Sequence, residues 1–278
     1  MKAKRSFWRR FFVIDIPVAL ILVFALGPYV WSFITAITPN EALDAGGVRY
    51  FPENPTMVNF VGLFKNIDFL KNMKDSLIVS TATMVVGICI SVSAAYSFSR
   101  YKFRGRNFFL IQFLAINMFP IVLILIPLFV IVSRLRLMDS YFALIIAYST
   151  FTIPFSVWMM TGFFNAIPRE LDEAAEVDGC SQLSGLVRVV LPVAMPGISA
   201  TGIYTFITAW NEFLYAVMLT NKNVRTIPVA LQNMVGEYKI DWGLLNAGGV
   251  VSAIPVIVLF FFIQRQLISG MTSGAVKG

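Results

Sequence analysis

A chain of 278 residues with 58% hydrophobic and only 13% charged side chains cannot cover itself with a water-facing surface, because a soluble domain of this size carries roughly a quarter charged residues. Lipid must therefore solvate much of it, and the length allows one membrane domain with little room for a second, soluble one. The net charge of +7 does not signal nucleic acid, since the basic residues flank apolar runs, where orientation signals lie, rather than an amphipathic face.

In chain order, residues 1–10 form a basic segment with Lys2, Lys4, Arg5, Arg9 and Arg10. The apolar run 11–37 that follows is too long for a signal-peptide core and lacks a small-x-small cleavage site, so it reads as a retained span. A crossing needs about 20 apolar residues for roughly 30 Å of hydrocarbon. Further windows of that kind lie at about 77–99, 107–132, 140–164, 193–220 and 246–268, which makes six spans. Short loops join the second, third and fourth, so these helices are antiparallel neighbours. The long connections are 38–76, 165–192 and 221–245. Pro28, Pro120, Pro127, Pro154 and Pro255 fall inside spans, where proline bends or breaks a helix but is tolerated in a bundle. The basic N-terminus, together with Arg100, Lys102, Arg104 and Arg106 after the second window, places both segments in the cytoplasm. The 165–192 segment and the tail 269–278 then share that side, and 38–76, 133–139 and 221–245 face outward. Arg134 and Arg136 on the outer side are outweighed by the two inner clusters.

The 165–192 segment reads as a short helix–turn–helix. Pro168 suits a first helical position, and Glu170, Asp172 and Glu173 favour the positive end of a helix dipole. Leu171, Ala174 and Ala175 share one face. Gly179 closes the helix, where a left-handed residue is usual. Ser181 caps a second helix with Leu183, Leu186, Val187 and Val190 on its apolar stripe. Five of the nine residues 170–178 are acidic. A helix lying on anionic headgroups carries Lys and Arg instead, so a protein partner explains this segment better than a lipid surface.

The run Glu173-Ala174-Ala175, three residues, Gly179, nine residues, then Val189-Val190-Leu191-Pro192 resembles the EAA loop of ABC-importer permeases. That pattern ends in Ile-x-Leu-Pro, from which Val189 departs conservatively. Nearly the whole chain is similar to the shorter permease subunit of the maltose-type carbohydrate importers. The supporting stretches are Asn54-Pro55-Thr56 through Asn59-Phe60, Trp210-Asn211-Glu212-Phe213, and the closing Gly270-Met271-Thr272-Ser273-Gly274-Ala275-Val276-Lys277-Gly278. The resemblance implies an all-α integral membrane protein of the type I importer permease fold, its last five spans forming the core and its first wrapping a partner. It implies a non-enzymatic subunit of a bacterial inner-membrane importer for a carbohydrate, an oligosaccharide in the first instance. The expected partners are a second permease, two ATPase subunits and an extracytoplasmic sugar-binding protein. ATP and magnesium would sit on the ATPases, and this chain would hold no cofactor. The EAA helix would be the coupling helix, seated in an ATPase cleft. In that picture Glu173 pairs with a basic residue of the ATPase, Ala174 and Ala175 allow close packing, and Gly179 permits the turn. Asp178, Leu191 and Pro192 complete the coupling set, and the Gly-rich tail lies against the ATPases.

Glu212 lies within the fifth window, where an ionised carboxylate costs at least ~2.5–3.5 kcal/mol on insertion scales, so it should face the bundle or a cavity. Trp210, Asn211, Glu212 and Tyr215 are candidates for the sugar path, and an interhelical bond is the alternative role for Glu212. Asp15 pairs locally with Arg9 and Arg10. Gln232, Glu237, Tyr238 and Trp242, in the last outer connection, are candidates for contact with the binding protein. There is no histidine, no thiolate metal cluster, no phosphate-binding Gly-rich loop ending in Lys-Ser/Thr and no nucleophile–base set. The rival reading is an ion-coupled secondary transporter, which calls for an inverted repeat and several buried ionisable groups. Neither is visible.

Overall fold

The computed structural model describes residues 10–44, 50–65, 67–236 and 240–275, with side chains through residue 266. In chain order the helices are α1 (Phe11–Ala36), α2 (Asn40–Asp44), α3 (Val58–Lys65), α4 (Phe69–Arg100), α5 (Arg106–Met118), α6 (Ile121–Arg134), α7 (Tyr141–Ala166), α8 (Glu170–Val177), α9 (Gln182–Trp210), α10 (Leu214–Leu219), α11 (Ile227–Gln232) and α12 (Trp242–Ala275). Among the described residues the only β feature is a single bridge between Val235 and Ile240. The basic residues Lys2, Lys4, Arg5 and Arg9 and the candidates Glu237 and Tyr238 lie outside the described residues, and the side chains of the closing Gly-rich stretch do as well.

Five helices, α1, α4, α7, α9 and α12, are long and apolar enough to cross a bilayer. The third apolar window is not one helix. It is the pair α5 and α6, bent by 97° at Phe119-Pro120. Proline drives the residue before it out of the α region, and Phe119 is extended at φ −72°, ψ 135°. With 13 and 14 residues, each half is about 20 Å long at 1.5 Å per residue, too short to cross alone. Pro28, Pro127, Pro154 and Pro255 are instead accommodated inside helices. The fifth window also ends early: α9 stops at Trp210, residues 211–213 are irregular, and α10 resumes. In the other direction, α4 begins at Phe69 rather than near residue 77. Its polar first turns stay helical through a Lys71–Asp75 i,i+4 ion pair at 3.0 Å. Hydropathy marks the lipid-crossing part of a helix and not its ends.

The chain divides into two compact units, residues 1–69 with 231–254 and residues 70–230 with 255–278. In the first, the buried Asn59 donates to the carbonyls of Ala36 and Thr38, both at 2.9 Å, and satisfies the open end of α1. Asp241 Oδ1 accepts from Leu244 N at 2.9 Å and caps α12. No part of the most apolar window of α1 is buried within the chain.

In the second unit α7 is the hub, packing on α5, α9 and α10, and half of its apolar window is buried. In lipid the drive for helix association is close packing and interhelical hydrogen bonding rather than hydrophobicity. Both are present on the α7–α9 face. Gly197 of α9 sits against Phe163 so closely that a methyl group there would come within 2.5 Å of it. Ser156 and Thr205 share a buried hydrogen bond at 3.2 Å. One apolar cluster, around Leu144, Tyr148, Phe151 and Tyr215, fills the half near the start of α7. Another, around Val92, Met160, Phe164 and Val190, fills the half beside the 165–192 segment.

Candidate functional site

At one end of the bundle α8 stands out from the membrane helices. It closes in a Schellman arrangement: Cys180 N donates to Ala175 O at 2.9 Å and Gly179 N to Glu176 O at 3.0 Å, with Gly179 left-handed at φ +79°. Ser181 caps the next helix by accepting from Ser184 N at 3.4 Å. Helix α8 starts at Glu170 with Arg169 as its cap residue, so Pro168 precedes the helix rather than opening it. The two alanines have different surroundings. Ala175 is buried against Gly185, 3.3 Å from where a Cβ would stand, and holds the helix–turn–helix together. Ala174 is exposed, as are Glu173, Glu176, Asp178 and Gly179. Val177, at 88% exposure, and Leu183, at 72%, add apolar surface to this acidic ridge. Leu191 packs on the adjoining cluster inside the bundle. The Leu191 N–H reaches back to Leu186 O in a single π turn just before Pro192, which has no N–H to continue the ladder.

What holds α8 is a polar knot at the ends of α4 and α7. Arg100 Nε lies 2.8 Å from Asp172 Oδ2. The Tyr96 hydroxyl donates to Asp172 Oδ1 at 2.7 Å. Arg100 Nη1 donates to the Phe164 and Ile167 carbonyls at 3.0 and 3.2 Å, which closes the C-terminus of α7. Arg169 Nη2 donates to Ser99 O at 3.0 Å, and the Tyr101 hydroxyl to Gln182 Oε1 at 2.9 Å. The side chain of Arg100 is 8% exposed. A displacement of α8 therefore has to pull on α4 and α7.

Toward the other end of α9, both helix breaks line one cavity of roughly 480 Å³. Ile116, Asn117, Phe119 and Ile121 border it from the α5–α6 bend, and Asn211, Glu212, Phe213 and Leu214 from the α9–α10 break. Tyr204 and Thr208 of α9 add hydroxyls to its wall. Irregular backbone at membrane depth is tolerated only where protein buries it or a water-filled cavity meets it. Glu212 borders this cavity from the helix break. Its two oxygens accept from Tyr215 N at 2.8 Å and Ala216 N at 3.2 Å, capping α10. Tyr215 is buried and stacks on Phe151 at 5.7 Å. Trp210 is buried, stacked on Phe206 at 5.6 Å, and does not line the cavity.

Residues 87–273 match the family model described as "binding-protein-dependent transport system inner membrane component". The chain belongs to that family. This permease is 35% identical over 95% of its length to the sulfoquinovosyl glycerol transport system permease SmoH of Agrobacterium fabrum, 93% of which is covered. It is 34% identical to the trehalose transport system permease SugB of Mycobacterium tuberculosis, over 93% of this chain and 95% of that one. It is also 32% identical to the diacetylchitobiose uptake permease DasC of Streptomyces coelicolor, over 99% and 100%. Its fold matches a chain in the crystal structure of a bacterial ABC transporter involved in import of the acidic polysaccharide alginate. The TM-score is 0.76 at 23% identity, with 95% of this chain and 98% of that one covered. The permease is thus a non-catalytic, all-helical membrane subunit related to sugar ABC importer permeases.

Three carboxylates that matter to the permease carried no signal as site residues in the sequence. Asp172 looked like a dipole-compensating acid and Arg100 like an orientation charge. Asp75 and Asp139 lay in loops or at span edges. Asp75, nearly fully buried, accepts from Lys71 Nζ at 3.0 Å, the Tyr141 hydroxyl at 2.7 Å and Arg225 N at 3.0 Å. Asp139, at a left-handed φ of 57°, accepts from the backbone N–H groups of Asn221, Lys222, Asn223 and Val224 at 2.9–3.2 Å. Burial alone would push the Asp139 carboxyl up, but these four donors outweigh it and hold the group below the usual carboxylate value. Gln232 and Trp242, in the first unit, are exposed. Asp15 lies 3.9 Å from Arg10 in an exposed pair of little energetic weight.

Proposed function

We propose that this permease forms half of the translocation path of an ATP-driven importer for a small glycoside or oligosaccharide, and that α8 is its coupling helix. The observation that carries the proposal is the exposed, acidic ridge of Glu173, Ala174, Val177 and Asp178, clamped by Arg100 and Asp172 to the ends of two membrane helices. A solvated loop needs no such clamp. A lever that transmits motion of an ATPase to α4 and α7 does. In this reading the end bearing α8 faces the cytoplasm and the end bearing Asp75 and Asp139 faces outward, toward a sugar-binding protein.

The cavity at the two helix breaks is the candidate sugar path. Its size falls in the range of ligand pockets, roughly 300–1,000 Å³. Asn117, Tyr204, Thr208 and Asn211 offer donors and acceptors for hydroxyls, and the aromatic walls suit sugar faces. Asn211, Glu212 and Tyr215 remain on the path in this reading. Trp210, buried against Phe206, lies outside the cavity wall. The names of the relatives, which include trehalose and diacetylchitobiose permeases, favour a substrate of that size class.

The test is purification of the tagged permease from its native membrane in mild detergent. An ATPase and a second permease should accompany it, and Glu173→Lys should release the ATPase while leaving the second permease bound. Recovery of the permease without an ATPase, under conditions that keep related importers whole, would refute the coupling assignment.

A further inference from the structure

Two cavities in the second unit adjoin one another and differ in chemistry. The first, roughly 490 Å³, is an apolar groove walled by Leu110 of α5 and by Trp158, Gly162 and Phe163 of α7. It runs from Trp158 to Ala166, about 12 Å along the helix axis at 1.5 Å per residue. The second, roughly 400 Å³, is polar and is lined by Arg100, Arg106 and Arg169 with Ser99 and Glu170. Asn165 and Ala166 line both, so the apolar groove and the basic pocket lie side by side.

The pocket has donors to spare. The buried Nε of Arg106 and Nη2 of Arg100 have no hydrogen-bond partner, and a buried donor left unmade is costly. Arg100 is neutralised by Asp172, and Glu170 offsets one further charge. Arg106 and Arg169 still leave an excess of positive charge, since neither forms an ion pair among the described residues. A basic pocket between membrane helices with an apolar groove beside it has the form of an anionic phospholipid: phosphate at one end, acyl chain at the other.

We infer that this is a binding site for one anionic phospholipid, whose phosphate sits among Arg100, Arg106 and Arg169 and whose acyl chain lies in the Leu110–Phe163 groove. The lipid lies at the root of α8, against the Arg169–Ser99 contact, and so joins the leaflet at that end to the segment that carries α8. The inference depends on the chain spanning a membrane and on neither the sugar path nor the ATPase assignment.

The test uses the permease in its native complex, exchanged into mild detergent with added phosphatidylglycerol or phosphatidylcholine and read by native mass spectrometry. Phosphatidylglycerol should be retained at one per permease and phosphatidylcholine should not. Arg106→Glu should cut retention roughly tenfold. Gly162→Leu should do so as well by projecting into the groove, where a methyl group at Gly162 meets no atom within 4 Å. Inorganic phosphate at millimolar concentration should not displace the lipid. Retention unchanged in both variants would overturn the inference. So would phosphate competing as effectively as lipid, which would mark a free-anion site. A cysteine at position 162 that cross-links to the second permease, in place of lipid loss in Gly162→Leu, would show that a protein helix fills the groove.

Discussion

Gly179 is left-handed at φ +79°, and a methyl group there would meet nothing within 4 Å. The constraint is therefore conformational and not one of space. A left-handed backbone costs an ordinary residue roughly 1–2 kcal/mol, whereas Asn adopts it readily. Gly179→Asn should keep transport closer to wild type than Gly179→Ala, although Asn is larger. The reverse order in a sugar-uptake assay would mean that bulk against a partner, and not the turn, sets the requirement. Asp139 makes a prediction in pH. Its folded carboxyl titrates below the usual value of 3.8, so its contribution to stability is fully present above that value and is lost as pH falls through the lower, folded one. Hydrogen exchange at Asn221 to Val224 should stay slow, after correction for intrinsic rates, from neutral pH down to about pH 4. It should be fast at neutral pH in Asp139→Asn. Equal protection in that variant would show that the loop does not depend on the carboxylate.

At the scale of elements, the same chain chemistry gives opposite results according to context. Pro127 and Pro154 stay inside helices, while Pro120 ends one and turns the chain by 97°. The bend and the break after Trp210 border one cavity. The ion pair of Arg100 with Asp172 is one of the links between α8 and the membrane helices, and removing one member of a buried pair costs about 3–5 kcal/mol while removing both costs far less. Asp172→Leu alone should therefore lower the thermal midpoint of the purified complex by more than Arg100→Met and Asp172→Leu together. Sugar-stimulated ATP hydrolysis should fall in both. Strictly additive midpoints would show that the two side chains act independently and that the knot does not hold α8.

At the scale of the molecule, α4 carries the knot at Arg100 and the carboxylate of Asp75 at opposite ends. The 25 residues between them amount to about 38 Å of helix, enough to cross roughly 30 Å of hydrocarbon. The two anchors must then lie on opposite sides of the membrane. Single cysteines at Val177 and Lys222, in a background without Cys89 and Cys180, should divide accordingly. An impermeant maleimide added to right-side-out vesicles should label position 222 and leave 177 untouched until the membrane is opened. Labelling of 177 from outside would reverse the orientation read from the basic residues.

The membrane class, the approximate spans, the Gly179 turn, the Ser181 cap and the family were all legible in the sequence, because each depends on a local or additive property. Hydropathy sums over a window, a left-handed turn needs its glycine, and a motif keeps its spacing whatever surrounds it. The tertiary structure alone decided the rest. Whether Pro120 bends or breaks its span and whether Ala175 faces Gly185 or a partner depend on how the elements pack. So does the pairing of Arg100 with Asp172, 72 residues apart. In lipid, where apolar surface has no preference between a helix and an acyl chain, such contacts are set by shape and hydrogen-bond geometry, and neither leaves a periodic trace in the chain.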